Sequence, residues 1–164
     1  MDLIDFGTIF SNPDNAKILT AALLGALVGL ERELSGKDPS LRTFSLICIG
    51  SAAFSIVSST IHITTEVGPN ARLVVDPGRI AAQIVVGIGF LGAGTIYRSS
   101  SRITGLTTAA LMWVTAAIGT LVGFGHADTA ISVTVIALSV TIVLTSVHKL
   151  IAFIRKDDQD REQS

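Results

Sequence analysis

Charged residues gather at two places in a chain that is otherwise apolar. At the first, Glu31, Arg32 and Glu33 stand in a row and Arg42 follows a short distance later. Acids and bases so close in sequence can form ion pairs, and Arg42 would meet Glu31 or Glu33 across a tight hairpin. The group is interpreted either as a functional acidic and basic cluster or as a solvated cluster at a helix end.

The second charged group is the stretch Asp76-Pro77-Gly78-Arg79. Asp followed by Pro is typical of a helix start, so Arg79 falls in the first helical turn. The helix dipole disfavours a cation there, and Asp76, three residues earlier, is the local partner. The pair is interpreted either as a structural clamp or as part of a polar site.

Four glycines lie close together, at Gly87, Gly89, Gly92 and Gly94. The first three match the G-x-G-x-x-G pattern of dinucleotide loops, but they stand inside an apolar stretch with no preceding soluble strand. We therefore predict no nucleotide partner. The remaining interpretations are close packing between helices and a locally unwound segment that offers backbone carbonyls to an ion or a partner.

Two further pairs of glycines are spaced four residues apart, Gly25 with Gly29 and Gly119 with Gly123. Such small-xxx-small faces let helix backbones approach closely. Packing within one subunit and homodimerisation both remain open for these faces.

A run of small and hydroxyl residues, with Gly105, Thr107 and Thr108, follows Thr104. Thr104 is the expected N-cap of a helix there, and the hydroxyls are expected to form interhelical hydrogen bonds. Ligand contact is the alternative.

Catalytic patterns are lacking: we find no phosphate-binding G-x-x-x-x-G-K-[ST], no H-E-x-x-H and no Ser-His-Asp order. The three histidines have no helical pairing, and Cys48 is the single cysteine. We predict that the protein is not an enzyme, with no catalytic residue, no metal site built from side chains and no cofactor.

Composition indicates the class of protein. Of the 164 residues 49% are hydrophobic and 15% are charged, whereas a soluble domain carries about 25% charged residues. A net charge of −1 implies no nucleic-acid partner. The chain is therefore predicted to be an integral membrane protein without a cleaved signal peptide, and its main partner is the lipid bilayer.

A bilayer core needs about 20 apolar helical residues. We predict an all-α membrane domain over residues 1–154, a compact bundle of five transmembrane helices, followed by a polar, disordered cytoplasmic tail at 155–164. The predicted spans are 13–34, 40–63, 77–97, 105–125 and 129–153.

Basic residues predict the orientation. Five spans place nine of the 12 Lys and Arg residues on one side and Lys17, Arg72 and Arg79 on the other. Since the basic side faces the cytoplasm, the N-terminus is expected outside and the C-terminus inside.

Acidic residues are expected only outside the hydrocarbon in spans two to five. Mg²⁺ usually takes one or two carboxylates and keeps several waters, so a dehydrated ion site at the midplane is not expected. The acids at the predicted outer face could offer only a weak site for hydrated Mg²⁺; they are Asp14, Glu66, Asp76 and Asp128.

Several blocks, taken together, resemble the MgtC/SapB family of bacterial inner-membrane proteins. The blocks are GALVGLERE at 25–33, LRT at 41–43, DPGRIAAQ at 76–83, GIGFLGAG at 87–94, and GLTTAA at 105–110 followed by Trp113. They stand in family order within about residues 15–125. Ser40 differs from the family, which usually has Gly before Leu-Arg-Thr.

The resemblance implies a role in magnesium homeostasis or in adaptation to magnesium limitation. Members are often described as magnesium transporters, whereas for some a regulatory role on membrane partners, such as the F-type ATP synthase, has been proposed. We expect a regulator or accessory factor that binds other membrane proteins or itself, with a secondary ion transporter or channel as the alternative. Several members carry a soluble cytoplasmic domain after the last span, and none is expected here.

Overall fold

A computed structural model describes residues 11–60, 64–68, 71–74, 78–99 and 102–162. The helices in this part of the chain are α1 (Pro13–Leu34), α2 (Leu41–Thr60), α3 (Gly78–Thr95), α4 (Leu106–Gly123) and α5 (Ala127–Glu162). Two antiparallel hairpins join them, β1 (Thr64–Gly68) with β2 (Ala71–Val74) and β3 (Tyr97–Ser99) with β4 (Arg102–Thr104). The described chain is thus a bundle of helices, to which the short hairpins add a feature that the all-α prediction lacked.

The first helix begins and ends where cap chemistry predicts. The Asn12 side chain accepts a hydrogen bond from the Asp14 backbone N–H at 2.9 Å, and Pro13 occupies the first helical position. After Leu34 the chain turns through Gly36, whose φ of +64° favours glycine. The predicted bounds 13–34 are confirmed.

The start of α4 differs from the prediction. Its N-cap is Gly105, with a φ of +89° and no side-chain cap hydrogen bond. Thr104 instead belongs to β4, where it pairs with Tyr97 and its hydroxyl donates to the Tyr97 carbonyl at 3.2 Å. The hairpin takes up Thr104, so the cap prediction was wrong.

The last helix continues well beyond the predicted fifth span. α5 is 36 residues long, or about 54 Å at 1.5 Å per residue. It contains neither Gly nor Pro, and its polar end, RKDDQDRE at 155–162, has five good helix formers among Lys, Arg, Gln and Glu beside three Asp. The prediction of a disordered tail is therefore wrong as far as Glu162.

Glycines bring α1 and α4 against α2. A Cβ at Gly25 would meet the Cys48 Cβ at 2.7 Å, and one at Gly123 would meet the Ser55 Cβ at 2.5 Å. Gly29 lies against the Leu41 backbone and Gly119 against Cys48. These contacts make α1 antiparallel and α4 parallel to α2, and they confirm that both glycine pairs pack within one chain.

The core lies among these three helices, whereas α3 is mostly outside it. Val28, Phe44 and Ile118 are fully buried. Half of the apolar span of α4 is buried, against 11% for α3. Since Gly92 of α3 packs on Ala109 near the β3–β4 hairpin, α3 is held at that end and is antiparallel to α4.

Length and composition allow α2, α3, α4 and residues 127–147 of α5 to cross a membrane. α1 is not among these helices because it carries Asp14, Lys17, Glu31, Arg32 and Glu33. The structure therefore has four candidate spans in its described part, and a fifth span through α1 remains a prediction.

Candidate functional site

A cleft of about 770 Å³ separates α2 from α3. Each helix contributes one face, with residues recurring every three or four positions, as helix geometry requires. The lining residues are Arg42, Thr43, Leu46, Ile47, Gly50, Ser51 and Phe54 from α2, and Arg79, Ile80, Gln83, Ile84, Gly87, Ile88 and Leu91 from α3. We call this space the α2–α3 cleft.

The two arginines lie toward opposite ends of the α2–α3 cleft. α2 is parallel to α4, α4 is antiparallel to α3, and α2 and α3 are therefore antiparallel. Arg42 and Arg79 are each the second residue of their helix. The lining extends from Arg42 to Phe54 on α2, an axial rise of about 18 Å, so the cleft is longer than one leaflet of a bilayer core is thick.

The wall of the cleft is apolar with a few polar groups and two positive charges. Its polar lining residues are Thr43, Ser51 and Gln83, besides the two arginines, and no Asp or Glu lines it. Ser51 is 5% exposed, and its carbonyl accepts a hydrogen bond from the Ser55 hydroxyl at 2.8 Å. The electrostatic character of the cleft therefore favours an anion over a cation.

Glu31 pairs with its neighbour Arg32, not with Arg42. Arg32 donates from Nε to Glu31 Oε2 at 2.5 Å and from Nη2 to Oε1 at 2.7 Å. The Ser35 hydroxyl donates to the same carboxylate at 3.0 Å. The expected pairs of Glu31 or Glu33 with Arg42 are not formed, because Arg42 lines the α2–α3 cleft instead.

Arg32 is 2% exposed, and its Nη1 is buried without a hydrogen-bond partner in the described part of the chain. The predicted inner cluster is thereby divided: Glu31 and Arg32 form a closed pair, Glu33 is exposed, and Arg42 belongs to the cleft.

The predicted outer pair is described only at Arg79. Asp76 lies outside the described residues. Arg79 is exposed at the first turn of α3 and forms no ion pair with another described residue. What the structure adds is that Arg79 shares the cleft with Arg42, a relationship that the sequence did not indicate.

Three of the four glycines of α3 do not serve the close packing within one chain that their density suggests. A Cβ at Gly87, Gly89 or Gly94 would meet no atom within 4 Å, whereas one at Gly92 would lie 3.5 Å from the Ala109 Cβ. Helix α3 is also continuous from Gly78 to Thr95, so no unwound segment is present. Within one chain, packing is confirmed for Gly92 alone of the four; Gly87 lines the cleft.

At the start of α4, Gly105 and Thr108 pack within the chain, whereas Thr107 is exposed. A Cβ at Gly105 would clash with the Thr95 backbone carbonyl, Thr108 is 4% exposed, and Thr107 lines a smaller groove between α4 and α5. Gly105 thus lets the start of α4 lie against the end of α3. None of the three residues lines the α2–α3 cleft.

No group of three His, Cys, Asp or Glu side chains that could hold a metal ion is found among the described residues. Of the acids proposed for a weak hydrated Mg²⁺ site, Asp14 is paired with Lys17 at 2.8 Å and Asp128 is exposed in the first turn of α5. Asp76, and the side chain of Glu66, lie outside what the structure describes.

Gln83 and Gly50 are cleft residues that sequence reasoning missed. Gln83 stands one helical turn from Arg79 and one from Gly87, so a polar stripe on an apolar helix was the available signal. Gly50 had no such signal, because a single glycine in an apolar helix does not indicate which face it occupies.

The family model described as "MgtC family" matches residues 18–150. Protein MgtC of Salmonella typhimurium is 45% identical over 127 residues, which are 77% of this chain and 50% of that protein. A protein of Escherichia coli K12 named "Putative magnesium transporter YhiD" is 43% identical over 134 residues, 82% of this chain and 60% of that protein. An uncharacterized protein of Haemophilus influenzae is 41% identical over 137 residues, which are 80% of this chain and 57% of that protein.

The chain thus spans between half and three fifths of the length of these relatives. No solved structure matches it. The matched region contains α2, α3 and α4 in full, and hence every residue that lines the α2–α3 cleft. With four apolar helices able to span a membrane, this multi-pass protein of the bacterial inner membrane is a member of the MgtC family.

Proposed function

We propose that the protein acts in magnesium homeostasis as a regulator or accessory factor that binds other membrane proteins, rather than as a path for Mg²⁺. The observation that carries this proposal is the charge of the α2–α3 cleft, which has Arg42 and Arg79 in its lining and no carboxylate. Mg²⁺ is held in proteins by carboxylates and waters. Two arginines in a narrow apolar cleft repel a divalent cation.

The exposed surface of α3 supports a binding role. Val86 is 65% and Val85 49% exposed on this helix, and Gly89 on the same face has open space around it. Glycines without neighbours in one chain allow the backbone of another helix to approach closely. A partner helix, from another protein or from a second copy of this chain, would pack on that face and cover its apolar side chains.

The topology belongs to the same proposal. We take α1 as a fifth span, with the N-terminus outside, because it is 22 residues long, enough for about 33 Å. Lys17 and Asp14 then pair at the outer interface, and the Arg32–Glu31 pair lies at the cytoplasmic one.

The alternative, a secondary transporter of Mg²⁺ or another small ion, is favoured by the name of the Escherichia coli relative and by the length of the cleft. Liposomes that contain the purified protein and a Mg²⁺-sensitive dye distinguish the two. We expect Mg²⁺ entry equal to that of empty liposomes, and a membrane protein that co-purifies with the wild type. Mg²⁺ entry that disappears in Arg79→Ala, or in Glu31→Ala that is shown to be folded, would establish the transporter instead.

A further inference from the structure

The α2–α3 cleft has the charge and the shape of a lipid site. Arg42 stands at its predicted cytoplasmic end and forms no ion pair with another described residue. As the second residue of α2, Arg42 also lies where the helix dipole disfavours a cation. An anion bound to Arg42 would supply the missing ion pair and would offset the unfavourable interaction of Arg42 with the helix dipole.

The rest of the wall is suited to hydrocarbon. From Arg42 the lining continues through Leu46, Ile47 and Phe54 on α2, opposite Ile84 and Ile88 on α3. Leu46 is 61% and Phe54 60% exposed, so these side chains are not covered by the chain itself. The wall is therefore apolar for about 18 Å, which is enough for an acyl chain that begins at Arg42.

The cleft opens to the bilayer along its side, because Leu46 and Phe54 in its wall are largely exposed. An acyl chain is much thinner than a helix, which is about 10 Å across. Such a chain can enter from the bilayer without displacing α3.

We infer that the α2–α3 cleft binds an anionic phospholipid of the cytoplasmic leaflet, with its phosphate on Arg42 and an acyl chain along Leu46, Ile88 and Gly87. This site goes beyond the proposed function, and only its assignment to the cytoplasmic leaflet rests on the topology proposed there. Arg79, toward the other end, lies too far from the phosphate to contribute. Anionic lipid in the cytoplasmic leaflet supplies the required charge.

The test uses a tryptophan reporter inside the cleft. In a Trp113→Phe background, which removes the single tryptophan, Leu46→Trp places a fluorophore one turn from Arg42. Phe90→Trp serves as the bulk-lipid control, because Phe90 is 81% exposed and does not line the cleft. Both proteins are reconstituted in phosphatidylcholine with a minority of phosphatidylglycerol, and either lipid carries bromine on its acyl chains as the quencher.

We expect brominated phosphatidylglycerol to quench Leu46→Trp more strongly than it quenches Phe90→Trp. Arg42→Gln should weaken this selectivity about fivefold, the effect of one arginine at a membrane surface. Arg42→Lys should retain it, and Arg79→Gln should leave it unchanged. Free phosphate cannot produce the signal, because the quencher is on the acyl chain. Helical circular dichroism and monodisperse elution check that each variant is folded.

Three results would overturn the inference. If the ratio of quenching by brominated phosphatidylglycerol to quenching by brominated phosphatidylcholine is the same for Leu46→Trp as for Phe90→Trp, the cleft is only an exposed surface. Weaker quenching of Leu46→Trp than of Phe90→Trp by every lipid would mean that protein, such as a second copy of the chain, fills the cleft. Selectivity lost in Arg79→Gln but not in Arg42→Gln would place the anion at the other end.

Discussion

Arg32 donates two hydrogen bonds to the carboxylate of Glu31, the residue directly before it in the helix. Adjacent helical residues do not face one another, so the pair forms only because both side chains bend into the same space. Arg32 is 2% exposed, and the Glu31 side chain is 9% exposed. The pair therefore neutralises a charge that the fold has already buried.

Glu31→Gln should destabilise the protein by about 3 kcal/mol, because a buried charge that loses its partner remains desolvated. The measurement is the free energy of unfolding in mixed detergent micelles. Glu33→Gln is the matched control, since Glu33 is exposed on the same turn, and it should change the unfolding free energy by less than about 0.5 kcal/mol. Equal losses in the two variants would contradict the pairing.

The double variant Glu31→Gln with Arg32→Met should recover most of that loss, because replacing both members of a buried ion pair by uncharged side chains is often close to neutral. Recovery to within about 1 kcal/mol of the wild type is expected in the same unfolding experiment. A double variant as unstable as Glu31→Gln alone would show that the Arg32 guanidinium serves packing rather than charge.

The glycines should divide into two classes when they are replaced. Gly119→Ala places a Cβ against the Cys48 backbone and 2.9 Å from the Ser51 Cβ, and should cost about 1–3 kcal/mol of unfolding free energy. Gly89→Ala meets nothing within 4 Å and should be neutral or stabilising by up to about 0.5 kcal/mol.

Gly89→Leu extends the comparison to function. We expect Gly89→Leu to fold. If a partner helix lies against α3, the membrane protein that co-purifies with the wild type should be lost from this variant. A variant that fails to fold would show that Gly89 packs within the chain after all.

Sequence reasoning succeeded where local chemistry decides the structure. Asn12 and Pro13 identify a helix start through one side-chain hydrogen bond and one missing N–H, and Gly25 with Gly29 identifies a close approach that needs no further context. The bounds of α2, α3 and α4 likewise lie within a few residues of the predicted spans, whereas α5 continues well beyond its predicted end.

The cleft could not be predicted in this way. Apart from the stripe of Arg79 and Gln83, α3 is apolar on all sides, and Val86 and Phe90 are as exposed as surface residues, so its hydrophobic periodicity does not indicate which face packs. The partner of Glu31 depends on the side-chain conformation of Arg32. Both are properties of helix rotation and rotamers, which spacing along the chain does not determine.

Gly105 and Gly125 have nearly the same backbone angle but different surroundings. Their φ values are +89° and +87°. A Cβ at Gly105 would clash with the Thr95 carbonyl, whereas one at Gly125 has open space. Gly125→Ala should therefore cost about 1–2 kcal/mol from the left-handed conformation alone, and Gly105→Ala about 1–3 kcal/mol more from the clash. Unfolding titrations of the two variants give the difference directly, and equal costs would contradict the close contact between Gly105 and Thr95 at the end of α3.

The direction in which α1 crosses the membrane can be measured with single cysteines in a Cys48→Ser background. Ser11, Ser35 and His126 are exposed positions before α1, after α1 and between α4 and α5. With five spans and the N-terminus outside, an impermeant maleimide should label Ser11→Cys and His126→Cys in spheroplasts, and Ser35→Cys only after permeabilisation. Cys48 itself is buried, so wild-type protein is the unlabelled control. Labelling of Ser11→Cys and Ser35→Cys from the same side would show that α1, with its five charged residues, lies along the surface, and the lipid site at Arg42 would then have to be reassigned to the leaflet that the His126 result indicates.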